Sequence, residues 1–64
     1  MPSILKAKEI QVGAILEKND LIAMGLTYDK KFANYEQWSY PTEDVWILWN
    51  PAMGKIMSKW NGGY

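Results

Sequence analysis

Apolar and polar positions change their spacing several times along this chain, and each change marks an element. Val45-Trp46-Ile47-Leu48-Trp49 is an unbroken run of β-branched, aromatic and aliphatic residues, the composition of a packed strand. Asn50-Pro51-Ala52-Met53-Gly54 interrupts the run. Pro51 presets φ for a turn, and Gly54 can reverse the chain. From Lys55 onward the pattern alternates: Ile56, Ser58 and Trp60 share one face, and Lys55, Met57 and Lys59 share the other. Val45 to Trp60 therefore reads as a hairpin, with strands over Val45–Trp49 and Lys55–Lys59.

Period two also runs through Ile10 to Lys18, where Ile10, Val12, Ala14 and Leu16 alternate with Gln11, Gly13, Ile15 and Glu17. A strand is expected over Val12–Leu16. Gly13 speaks against the rival reading, a helix from Ser3 to Leu16, because an interior glycine costs a helix about 1 kcal/mol. Asn19-Asp20 signals a turn, and Leu21 to Tyr28 reads as another strand, with Ile22, Met24, Leu26 and Tyr28 on its larger face. Residues 1–9 form a polar lead-in, either a short helix capped at Pro2-Ser3 or an extended arm. Residues 29–44 show no clear period and read as one long loop rich in aromatics. Ile22, Leu26, Val45, Ile47, Trp49 and Ile56 are the expected core. The sum is a mainly β, single-domain chain: a small SH3-like barrel of four or five short antiparallel strands.

Composition narrows the chemistry. The 64 residues make at most one domain, and four Trp, four Tyr and one Phe give it a way to bury area efficiently. Histidine and cysteine are both absent, which removes the commonest general base, the commonest metal ligands and every disulfide. Glu43-Asp44 is the closest carboxylate pair, and neighbours in a strand point to opposite faces. Ser3, Thr27, Ser39, Thr42 and Ser58 have no histidine to activate them. No catalytic residue, no metal site and no cofactor is expected. Polar residues follow Ile4-Leu5 at once, so no leader peptide is expected. No apolar run approaches the ~20 residues of a membrane span.

The formal net charge is zero, and every basic residue is a lysine. Without arginine the bidentate contacts to guanine and phosphate are missing, which ranks nucleic acid below protein as a partner. Lys30-Lys31 beside Phe32 and Tyr35 still offers a base-stacking platform next to charge.

Val12-Gly13-Ala14-Ile15-Leu16, then a glycine-containing apolar segment from Leu21 to Leu26, then an insert, then the Val45–Trp60 hairpin with its Trp, turn, Gly-Lys and second Trp, form a succession. Over roughly Ile10 to Trp60 this resembles the small SH3-like barrel proteins encoded in many bacteriophage genomes. Ala14 departs from that pattern, which often has an acidic residue after the glycine, and the insert at 29–44 is long. The resemblance implies a barrel fold and a viral origin, with the host cytoplasm or the virion as location. It implies no reaction.

Binding is the function these observations leave. Tyr28, Tyr35, Trp38 and Tyr40 crowd the 29–44 loop and its entrance, and tyrosine and tryptophan are enriched at interface hot spots. Tyr40, beside Pro41, is expected to be exposed, whereas Phe32 and Trp38 can equally well complete the core. Trp46 and Leu48 face outward if Val45, Ile47 and Trp49 face inward, and a strand apolar on both sides is normally covered on both, here by the N-terminal segment or by a partner chain. The expected site is Tyr28, Tyr35, Trp38, Tyr40, Trp46 and Leu48. Its expected occupant is another protein or a second copy of the chain, and not a membrane.

Overall fold

A computed structural model describes residues 6–62. The chain is mainly β. Four antiparallel strands form one sheet in the order of the sequence: β1 (Thr27–Lys31), β2 (Glu36–Tyr40), β3 (Val45–Asn50) and β4 (Lys55–Trp60). One short helix, α1 (Lys18–Ala23), and 3-10 turns at Ala7–Glu9 and Pro41–Glu43 complete the described elements.

The β3–β4 hairpin stands where the apolar run and the alternating arm place it. Asn50 builds the turn: its Oδ1 accepts the Ala52 N–H at 2.9 Å and the Met53 N–H at 3.3 Å. Gly54 sits at φ 72°, where a Cβ would lie 2.9 Å from the Leu16 carbonyl oxygen, so the position needs both the left-handed backbone and the missing side chain.

Register assigns each strand residue to a face. Tyr28 pairs with Trp38, Trp38 with Ile47, Tyr40 with Val45 and Trp49 with Ile56. These residues share the inner face. The segment 7–26 covers that face, and Ala7, Ile10, Leu21 and Leu26 join Trp38, Val45, Ile47, Trp49 and Ile56 in one buried cluster. Burying apolar area against this single layer is the main stabilising term for so small a domain. The Trp38 ring meets Tyr28 on one side and Trp49 on the other, edge to face, with centroids 5.8 and 6.3 Å apart. Both buried indoles are satisfied: Trp49 Nε1 donates to the Leu16 carbonyl, and Trp38 Nε1 to Glu36 Oε1, each at 3.0 Å. Lys59 fastens the covering segment by donating to the Lys8 and Ile10 carbonyls at 2.6 and 2.8 Å.

Several expectations are corrected. Leu21–Tyr28 is not one strand. Its first part is the end of α1, closed by a Schellman motif in which the Leu26 N–H reaches the Leu21 carbonyl and the Gly25 N–H reaches the Ile22 carbonyl. Gly25 takes φ 92°, and the flanking Leu21 and Leu26 are both buried, the apolar contact that accompanies this motif. On a helix Ile22 turns away from Leu21, which is why Ile22 is 55% exposed and not in the core.

The expected strand Val12–Leu16 shrinks to one bridge, Ile15 with Lys55. Its backbone still pairs with the β4 edge, through Gly13 N–H to the Ile56 carbonyl, Ile56 N–H to the Ala14 carbonyl and Leu16 N–H to the Gly54 carbonyl. The expected loop at 29–44 contains the end of β1 and all of β2, joined by a tight turn in which the Phe32 N–H bonds the Tyr35 carbonyl. The sheet is open: β1 and β4 are its margins and do not pair, so the strands do not close into a barrel. In the lead-in, Ala7–Glu9 is a 3-10 turn, and the cap at Pro2-Ser3 lies outside the described residues.

Candidate functional site

Every buried apolar residue of the sheet lies on the inner face. The outer face is different in kind. By register and alternation it carries Gln37 and Ser39 on β2, Trp46, Leu48 and Asn50 on β3, and Lys55, Ser58 and Trp60 on β4. Trp46 and Trp60 are direct cross-strand partners, and so are Leu48 and Ser58. All four are half-buried. Neither Trp46 nor Trp60 has a hydrogen-bond partner for its indole N–H among the described residues, in contrast to Trp38 and Trp49 on the inner face.

The middle of this face is polar and fixed. Gln37 and Ser39 are each 4% exposed. Asp29 serves both: its Oδ2 accepts from Gln37 Nε2 at 3.2 Å and its Oδ1 from Ser39 Oγ at 3.0 Å. Asp29 can do so because it is the extra residue of a bulge. Tyr28 pairs with Trp38 and Lys30 with Gln37, which leaves Asp29 unpaired and re-aimed. Buried polar groups held this way do not need a ligand, so the polar strip is a rigid floor between aromatic ends.

At the turn end, alternation continues the outer face from Gln37 to Tyr35 and from Leu48 to Asn50. Lys30 reaches over the Phe32 ring, 5.5 Å from its centroid. Beside Tyr35 an open groove of ≈ 390 Å³ separates the two hairpin turns, lined by Lys31, Ala33, Asn34, Tyr35, Asn50, Pro51, Ala52 and Met53. Its volume falls in the lower range of small-ligand clefts.

The six expected site residues therefore divide. Tyr35, Trp46 and Leu48 share the outer face. Tyr28, Trp38 and Tyr40 belong to the inner one. Trp38 is 2% exposed and is a core residue, so it is withdrawn from the binding set. Tyr40 packs against the core, and its ring lies 3.4 Å from where a Gly25 Cβ would stand, so its expected exposure beside Pro41 is not found. Tyr28 is 48% exposed, with its ring set edge-on to Trp38. Trp60, Pro51 and Met53 join the site without having been expected in it. Strict alternation puts Trp60 and Ser58 on one face with Ile56, and that expectation is corrected: Leu48 pairs with Ser58 but Trp49 with Ile56, so Met57 is an extra residue that leaves Ile56 inside and turns Ser58 and Trp60 outward.

The acidic pair has structural duties. Glu43 Oε1 accepts the Lys8 N–H, and Asp44 Oδ1 accepts the Gly62 N–H, so the two carboxylates serve different segments. No helix among the described residues is long and apolar enough to cross a membrane. No family model, curated protein or solved structure matches the chain.

Proposed function

We propose that this chain is a non-enzymatic binding module and that the outer face of its sheet, from Trp46 and Trp60 to Tyr35 and the groove between the turns, holds a segment of a partner protein. One observation carries the reading. The sheet's share of the core comes wholly from its inner face, while two tryptophans and a leucine stand half-buried on the other. Aromatic and aliphatic groups around a satisfied polar floor, with lysines at the margin, have the anatomy of a specific interface. The absence of histidine and cysteine from the sequence supports the non-enzymatic half. Kinship with the SH3-like phage proteins belongs to the same proposal. It is supported by the mainly β build and by the segment 13–16 lying along the β4 edge as a fifth strand would.

A second reading has its own observation. Phe32, Tyr35, Trp46 and Trp60 share one face with Lys30 and Lys55, an arrangement on which single-stranded bases can stack. Asp29 on the same face and the zero net charge favour protein.

Recovery of partners from cell extract by the wild type and by a Trp46→Ser, Tyr35→Ala variant tests the site. The variant is expected to keep its fold and lose the protein that the wild type recovers. Equal recovery of the same protein by both would remove the outer face as the site. Salt-sensitive recovery of nucleic acid alone would move the function to the second reading.

A further inference from the structure

The groove between the two hairpin turns has a chemistry narrower than "protein". Most of its lining is apolar or aromatic: Ala33, Tyr35, Pro51, Ala52 and Met53, the last 60% exposed. Its polar members, Lys31, Asn34 and Asn50, together carry more donors than free acceptors. Asn50 Oδ1 is already taken by the Ala52 and Met53 N–H groups, which leaves the Asn50 amide NH₂ to donate. Lys31, which the register sets on the inner side opposite Glu36, also lines the groove; its side chain has no hydrogen bond or ion pair among the described residues, and its ammonium can only donate. No carboxylate of the described residues lines the groove. Glu36, which pairs across the strands with Lys31, accepts the Trp38 indole N–H on the inner face. Asp29, the other nearby acid, is engaged by Gln37 and Ser39.

A mostly apolar lining with a cation and an excess of donors fits a group that is apolar and carries an acceptor oxygen with negative charge. Resting on the reading of the outer face as a protein-binding surface, we propose that this groove selects an acidic residue flanked by aliphatic side chains in an extended partner peptide. The side-chain carboxylate lies between Lys31 and the Asn50 amide, and an aliphatic neighbour lies on Tyr35, Pro51 and Met53. A charge-assisted contact in a partly desolvated groove is stronger than its neutral equivalent, so it sets which peptide is preferred.

The test is a titration of the full chain, followed by its amide NMR spectrum, with a blocked leucine–glutamate–leucine peptide and its glutamine counterpart. The glutamate peptide is expected to move the amides of residues 31–35 and 50–53, apart from that of Pro51, which has none. The glutamine peptide should need about tenfold more ligand for the same shift. Lys31→Gln, at an exposed position, should leave the rest of the spectrum unchanged and abolish the difference between the two peptides. Equal titration by both peptides, or no movement in these residues, would overturn the inference. So would oligothymidine moving the same amides at lower concentration than the glutamate peptide. Absence of the acidic preference in the wild type while recovery of a partner still depends on Trp46 would sink this inference alone. A retained preference with recovery indifferent to Trp46 would sink the wider reading alone.

Discussion

Trp49 combines three contacts in one side chain. It is 4% exposed, it meets the Trp38 ring edge to face, and its N–H closes on the Leu16 carbonyl across 33 residues of chain. Trp49→Ala removes all three and should cost about 3–5 kcal/mol, close to the whole stability of so small a domain. Trp49→Phe keeps most of the packing but leaves the Leu16 carbonyl without its donor, so a smaller loss of about 1–3 kcal/mol is expected. Urea denaturation of both variants checks the order; a Trp49→Ala midpoint equal to that of the wild type would show that Trp49 is not a core anchor. The inward role of Trp49 was legible from its place in the Val45–Trp49 alternation. Its bond to Leu16 was not, because no local pattern says which distant carbonyl will arrive beside an indole.

Elements were legible where one pattern had no rival. The β3–β4 hairpin combined a long apolar run, a proline turn and an alternating arm, and it formed, although the extra residue Met57 breaks that alternation in the structure. Leu21–Leu26 had a rival that alternation hid. Six residues contain too few turns to show a helical period, and the decisive signals were chemical: Asp20 three residues after Glu17, with its carboxylate on the Glu17 N–H at 2.8 Å, and Gly25 at the left-handed closing position. Gly54 makes the corresponding point for the hairpin and supplies a prediction. Gly54→Ala forces a Cβ against the Leu16 backbone at positive φ, and the backbone cannot give way as a side-chain end can. A loss of about 1–3 kcal/mol is expected, with reduced hydrogen-exchange protection at Leu16 and Ile56. Gly62→Ala, where a Cβ would meet nothing within 4 Å, should cost less. Equal melting temperatures for Gly54→Ala and the wild type would contradict the close approach.

At the scale of the molecule, among the described residues, the sheet is covered on one side by the segment 7–26 and presents a mixed aromatic and polar face on the other. The polar strip of Asp29, Gln37 and Ser39 interrupts that face, so it is not the continuous apolar sheet that drives obligate pairing of two copies. The purified chain is therefore expected to sediment as a monomer, with Trp46 and Trp60 open to a fluorescence quencher. A stable dimer with both tryptophans protected would show that a second copy, rather than a partner protein, occupies the outer face. The margins of the sheet are guarded in a familiar way. β1 is exposed along its length, bulged at Asp29 and charged at Asp29, Lys30 and Lys31, features that discourage another strand from adding there.

By itself the sequence determined the mainly β class, the β3–β4 hairpin with its turn, and the opposition of Val45, Ile47 and Trp49 to Trp46 and Leu48. Each of these follows from local spacing, since a strand has a period of two and a turn needs particular residues. Only the tertiary structure decided which aromatics stay outside. Tyr28, Trp38 and Tyr40 sit on the inner face, and Tyr35 on the outer, because β2 pairs with β1 through a bulge and with β3 in a fixed register. The open sheet and the groove between its turns were decided the same way. They depend on how segments far apart in the chain meet, and burial of one shared core settles that, not the propensity of any stretch alone.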